Sequence, residues 1–294
     1  MYGKEVEIHM GYVNNLQPMI LGEIVSISPS FPEGGAPTIT ITGYDKSHRM
    51  RHNHKTRSFK FSNANIIASQ VAAENLLIPV LDPTPLTFES KTQNSSDMVL
   101  LKELAARTFF EVYVFWDKLY FRAPRPQTEA VYLEWGKNLS SFSPRLSTSG
   151  QVGLQCVRDY DQKLATSIIG MVPVIGVDMN LDNIIEKLGS AFVDQLTDFG
   201  LRCVTDETVN SFPDAVAFAK AILQELLEGV FEGYGVCIGI PELRAGNIVN
   251  IKGIGKKFSG DYRLRKVTHS IGGGGYQTNF EVTQRRSSTM LQLF

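Results

Sequence analysis

The sequence has almost no charge imbalance, few cysteines and no long apolar run, and each shortage removes a class of function. Lys and Arg number 29 against 30 Asp and Glu, for a net charge of −1. A protein that gripped nucleic acid through its phosphates would show a basic excess, so that class is disfavoured. The three cysteines, Cys156, Cys203 and Cys237, are far apart and odd in number. Without a Cys-x-x-Cys pair, neither a zinc ribbon nor a disulfide framework is expected. They read as reduced core residues of a protein folded in a reducing cytoplasm. No apolar run approaches the roughly 18 residues of a membrane-spanning helix, and Met1–Glu5 opens no signal core. The chain is therefore expected to be soluble where it is made, leaving the cell by lysis or within a larger particle. Catalytic signatures are missing too, since there is no HExxH and no GxSxG. Glu103, Glu111 and Glu134 stand in no recognisable motif, and His269 falls inside a strand pattern. No catalytic residue, cofactor site or metal site is expected.

What is present is strand pattern. At 294 residues, with 43% hydrophobic and 20% charged side chains, the chain can build two or three domains with real cores. The clearest stretch is Gly239 to Arg285. Tyr276, Thr278, Phe280 and Val282 alternate with Gln277, Asn279, Glu281 and Thr283, the period of a strand with one buried face. Val249 and Ile251 do the same against Asn250 and Lys252. Between them a strand begins in step at Tyr262 and Leu264 but changes parity before Val267, which predicts a β-bulge near Arg265 and Lys266. With the four-glycine turn Gly272–Gly275 these strands form a meander that closes a barrel or covers a sandwich. Gly253-x-Gly255-Lys256 resembles a phosphate loop only superficially, because a strand and not a helix follows.

At the other end, Val6 and Ile8, then Ile24 to Ile27, then Thr38 to Gly43 read as antiparallel strands around a Phe31–Pro37 loop. Lys46 to Lys60 holds six basic side chains, three histidines and no acid. His48, His52 and His54 lack a further metal ligand, so the stretch reads as a solvated hairpin, with an acidic or polyanionic partner as the alternative. Further on, Ser62 is placed as the cap of a short helix, Pro79–Pro85 as a proline-rich joint, and Ser95-Ser96-Asp97 as the cap of a helix bearing Met98, Leu101, Leu104 and Ala105. Phe110 to Arg122 reads as a hairpin about Trp116-Asp117. An amphipathic helix is expected over Leu181 to Phe199, and another from the Ser211/Asp214 capping box onward, flanking or plugging the terminal barrel.

Several runs together resemble a known family. Gly22-Glu23-Ile24, Phe31-Pro32-Glu33-Gly34-Gly35-Ala36-Pro37 and Gly43-Tyr44-Asp45-Lys46-Ser47-His48-Arg49-Met50 resemble the opening of phage late-control protein D. Gln93-Asn94-Ser95-Ser96-Asp97, Trp135-Gly136-Lys137-Asn138-Leu139, and Pro241-Glu242-Leu243-Arg244-Ala245-Gly246 with Gly260-Asp261-Tyr262 continue the likeness in order. Residues 171–210 carry it least. Proteins of this family are baseplate hubs of contractile phage tails and phage-like injection systems, similar to the hub part of valine-glycine repeat spike proteins.

The resemblance implies an α+β, mainly β fold: two tail-tube-like antiparallel β-barrels with a small α/β insert and flanking helices. The implied domains are 1–60 for the first barrel, 61–129 for the α/β domain, and 130–294 for the second barrel with a helical excursion around 171–231. It implies a homotrimer whose six barrels form a pseudo-sixfold ring joining a hexameric inner tail-tube to a threefold spike. Other baseplate components, a tape-measure protein or cargo complete the implied partners, with no specific nucleic acid and no membrane insertion. The chain would be made in the bacterial cytoplasm and end in a virion or tail-like particle. Spike relatives run on into an OB-fold and a needle, so a separate spike protein is expected. Relatives often have strands before the segment matching Lys4–Met10, which leaves the completeness of the first barrel open. Exposed-loop reading puts the contact candidates at Phe31, Glu33, Arg49, Arg51, Lys55, Arg57, Gly273 and Gly274. The competing functions are a tail-associated cell-wall hydrolase and an oligonucleotide- or glycan-binding barrel module.

Overall fold

The computed structural model describes residues 3–84, 86–126, 129–146, 154–161, 166–173, 201–205, 209, 211–228, 231–256 and 258–286. The chain divides into two compact units, Met1–Ala123 and Pro124–Phe294. The fold is mainly β with few helices, the α+β class the sequence implied.

Unit 1 begins with a three-stranded antiparallel sheet of β1 (Glu5–Tyr12), β2 (Asn15–Ser30) and β3 (Thr38–Asp45). Tyr12 pairs with Asn15, so Val13-Asn14 is a two-residue turn. Asn14 takes the positive φ of 65° that such a turn asks for. Helix α1 (Ser47–His52) follows, then β4 (His54–Asn63), whose partner is β6 (Thr87–Ser96). The expected hairpin over 46–60 is therefore corrected. The stretch has no tight-turn residues, and its strand pairs with one more than twenty residues on. Asn63, not Ser62, caps α2 (Ala64–Glu74), its Oδ1 accepting from the Ile66 N–H at 2.8 Å. Pro79 lies within β5 (Ile78–Leu81), an edge strand where a missing N–H is tolerated. Strand β5 runs parallel to β8 (Lys118–Arg122), which pairs antiparallel with β7 (Glu111–Phe115), the expected hairpin. Ser96 caps α3 (Asp97–Thr108), and Met98, Leu101, Leu104 and Ala105 are buried as the periodicity requires. They join Met50, Phe59, Ile67, Val71, Leu119 and Phe121 in one core.

In unit 2 a six-stranded sheet has the order β10 (Leu139–Leu146), β14 (Phe231–Ile238), β17 (Gly275–Arg286), β16 (Gly260–Gly272), β15 (Ile248–Lys252), β9 (Val131–Glu134). Its last three strands in sequence are the predicted meander. The predicted bulge is there as well: the β16–β17 register shifts on both sides of Leu264, leaving Arg265 unpaired. The two ends of the sheet order, β9 and β10, are joined by only Trp135–Asn138 and bridge at Trp135 and Leu139. So short a link forces the sheet to curl until its edges approach. Inside the curl lie Leu133, Leu243, Val249, Ile251, Tyr262, Leu264, Phe280 and Val282.

A second sheet in unit 2 orders β12 (Thr166–Pro173), β11 (Leu154–Asp161) and β13 (Leu201–Val204), with β11 and β13 parallel. Helix α4 (Phe212–Glu228) packs on it through Ala215, Phe218 and Ala219, against Val157 and Ile168. The contact is close: a Cβ on Gly170 would sit 2.3 Å from the Ala215 carbonyl carbon, so only glycine fits there. The Ser211 hydroxyl accepts from the Asp214 N–H at 3.3 Å, as the capping box predicts. The helix thus covers β11 and β12 and also touches β14 and β17, so of the two expected seats it flanks the terminal barrel and does not plug it. The helix expected over 181–199 lies outside the described residues.

The cysteine expectation is corrected for two of the three. Parallel pairing puts Cys156 opposite Cys203, and the two form a disulfide. Cys237 stays free in the core, where burial pushes its thiol pKa up to about 12.

Candidate interaction surface

A basic stretch reads as a surface until its partners are seen. Asp97, at the start of α3, is fully buried, and five side chains converge on its carboxylate. Oδ2 accepts from Asn53 at 2.8 Å, Lys55 at 2.7 Å and Asn75 at 3.1 Å, and Oδ1 from Gln93 at 2.9 Å and Arg57 at 3.2 Å. Glu74 accepts a further hydrogen bond from each cation, from Lys55 at 2.7 Å and Arg57 at 2.5 Å. Burial alone would raise the Glu74 pKa. The hydrogen bonds from Lys55, Arg57 and Gln70 outweigh it and bring it down to about 2. Asp97 is also held below its ordinary value, with burial opposed by Gln93, Lys55 and Asn75. Lys55 is held above its own, its desolvation outweighed by Asp97 and Glu74. Arg57 further lies 4.7 Å over the Phe59 ring. These cations lock α2, α3 and β4 together.

The other contact candidates divide. Arg49, on α1, is paired with the buried carboxylate of Glu23, its Nε donating at 3.2 Å. Arg51 is exposed on the same helix. Phe31, 78% exposed, and Glu33 sit on the loop between β2 and β3. Gly273 and Gly274 form the turn between β16 and β17 with open space around them. Lys55 and Arg57 come together; the remaining six do not converge on one place within either unit. His48 lies near Glu23 and His52. Among the described residues, no three of His, Cys, Asp and Glu are grouped to hold a metal ion. His269 is a strand-pinning residue. Its Nε2–H donates to the Leu243 carbonyl at 3.0 Å, and its Nδ1 accepts from the hydroxyls of Tyr276 and Thr278 at 2.9 and 3.0 Å. Burial holds its pKa below the usual value, and both ring nitrogens are occupied by hydrogen-bond partners.

Sequence reasoning missed the most conspicuous surface. The register of the first sheet puts Val6, Ile8, Ile20, Ile24, Ile27, Ile39 and Ile41 on one face. None belongs to a core cluster, and Ile39 and Ile41 are 66% and 54% exposed. The other face carries Glu23, Ser26, Ser28, Thr40 and Thr42. The first face is the more apolar one and is exposed at Ile8, Ile39 and Ile41 and half-buried at the other four, and an exposed apolar patch of this kind marks a contact site. Strand β3 has no charged or proline residue from Thr38 to Tyr44 to protect its free edge. The sequence signal was the Thr-Ile-Thr-Ile-Thr alternation, which fixes two faces without saying what covers them. Phe61 was missed too. Its φ of +46° turns it out of the inward row Lys55, Arg57, Phe59 and leaves it 86% exposed.

The family model described as Alg8 N-terminal domain matches residues 1–273. The chain belongs to the Alg8 N-terminal domain family. No curated protein matches it in sequence. This Alg8-type chain is similar in fold to the 43 kDa tail protein of prophage MuSo2 from Shewanella oneidensis, at TM-score 0.69 and 14% identity, over 91% of this chain and 79% of that one. The tail protein from Neisseria meningitidis MC58 is similar at TM-score 0.69 and 11% identity, over 91% and 81%. The E. coli c3393 protein is similar at TM-score 0.61 and 10% identity, over 98% of this chain and 65% of that one. That protein is a component of the type VI secretion system with structural similarity to the T4 tail proteins gp27 and gp5. At these identities the likeness is one of fold.

Proposed function

We propose that the chain is a structural component of a contractile tail or injection-system baseplate, and within it the hub. Three copies form a ring of six barrels, two per chain. One side of the ring meets the sixfold inner tube and the other seats a threefold spike. The observation that carries this reading is the fold likeness to tail proteins over nine-tenths of the chain. The partly exposed apolar face and the edge strand β3 of the first sheet support it, because exposed apolar strands call for a neighbour. The partition into barrel 1–60, insert 61–129 and barrel 130–294 belongs to the same proposal. Its contacts run through Phe31, Glu33, Arg49, Arg51, Gly273 and Gly274. Lys55 and Arg57 contribute least, since their charges are already committed to Asp97 and Glu74. The role is structural and not catalytic, and the particle is a virion or a tail-like injection device. No described helix is long and apolar enough to cross a membrane.

Co-expression with the tube and spike proteins of the same particle tests this reading. The expected result is a co-purifying complex whose images show a ring with a central hole and three-fold symmetry. A chain that joins neither protein and forms no ring contradicts the hub.

A further inference from the structure

The outer face of the six-stranded sheet holds a groove of about 340 Å³ crossing β10, β14, β17 and β16. Its floor is Gly233 beside Val282. Both residues face inward, where a Cβ on Gly233 would come within 3.0 Å of the Phe142 ring and the Val282 methyl, so the groove is floored by strand backbone and walled by the outward side chains on either side. Next along β14, Tyr234 is half-exposed, and its hydroxyl donates to Asn279 Oδ1 at 3.2 Å, laying the ring along the sheet. The bulge in β16 supplies the opposite wall. Leu264 turns inward, and Arg265 and Lys266 then both turn outward, one cation more than a regular strand would present. Lys266 is matched by Glu281 at 3.2 Å. Arg145 and Glu232 stand opposite each other in the β10–β14 register, and the side chains of Arg145, Glu232 and Arg265 make no hydrogen bond or ion pair with a described residue.

We propose that this groove binds a sugar ring bearing one carboxylate. The Tyr234 face offers the apolar surface on which the C–H face of a sugar ring packs. Guanidinium and carboxylate groups present fixed, planar donors and acceptors that match neighbouring hydroxyls. The unmatched charges are two cations and one anion, which leaves one positive charge for one ligand carboxylate, the geometry arginine reads best. A site for a bare anion would gain nothing from Glu232 or Tyr234. A site for a neutral sugar would leave a guanidinium unmatched. The volume is at the lower end of ligand pockets, roughly 300–1,000 Å³, and suits one or two rings. This site is independent of the hub reading.

Saturation-transfer NMR on the full chain tests it, with glucuronate, methyl glucoside and acetate added separately at equal millimolar concentration. Transfer to glucuronate is expected, weaker by roughly tenfold for methyl glucoside and absent for acetate. Tyr234→Ala and Arg265→Ala both face outward, so each is expected to abolish most of the transfer while leaving the melting temperature unchanged. Equal transfer to acetate and glucuronate would reduce the groove to an anion site and overturn the proposal. Absence of transfer to any sugar with the folded chain, or transfer indifferent to both substitutions, would overturn it as well.

Discussion

The first, three-stranded sheet and the six-stranded sheet of unit 2 solve the same problem in opposite ways. The six-stranded sheet of unit 2 curls until β9 and β10 approach, and closes Phe280, Val282, Tyr262 and Leu264 inside itself. The three-stranded sheet of unit 1 is just as regular and as rich in β-branched residues, yet its isoleucine face adds nothing to any core. Strand propensity and alternation are alike in the two. What differs is coverage, and coverage decides whether a strand stabilises the monomer or waits for a partner.

Matched substitutions break or sharpen that contrast. The largest effects are expected from Phe280→Ala in β17, which removes a ring that is 1% exposed and should cost about 3–5 kcal/mol in urea unfolding. Asp97→Ala leaves Lys55 and Arg57 without their buried acceptor and should cost about as much, roughly 3–5 kcal/mol, with the loss confined to unit 1. Reducing Cys156–Cys203, which closes a 47-residue separation, should lower stability by about 2–4 kcal/mol. The same comparison with Cys203→Ser in place of wild type should show no effect of reductant.

A smaller effect follows acid. The Glu74 pKa falls from 4.5 to about 2 on folding, so its contribution is complete above about 4.5 and is lost as pH drops toward 2. Glu74→Gln should flatten the stability curve of unit 1 across that window, and an unchanged slope would remove Glu74 from the network. The smallest effect belongs to Ile41→Ser, expected to change monomer unfolding by less than about 0.5 kcal/mol. Its consequence should appear instead as weaker self-association. A large loss of monomer stability would mean that the first sheet does have a core of its own.

Much of this was legible in the sequence where the signal is local. The meander, the β16 bulge, the Ser96 and Ser211 caps and the Phe110–Arg122 hairpin all lie within a dozen residues of the features that announce them. What was not legible is non-local. Strand β4 finds β6 across a helix, and Cys156 finds Cys203 through a parallel pairing that no spacing rule encodes. Lys55 and Arg57 read as surface because their acids, Glu74 and Asp97, come later in the chain. The groove at Gly233 needs four strands from three distant stretches to exist at all.

The proposed hub role requires that three copies of the chain close the open sheet of unit 1 into a ring. Light scattering on a sizing column, over a range of concentrations and with Ile41→Ser alongside, tests it most directly. The account predicts a mass three times that of one chain, stable on dilution and reduced by the substitution. A single-chain mass at every concentration, unmoved by addition of the spike protein, would contradict it.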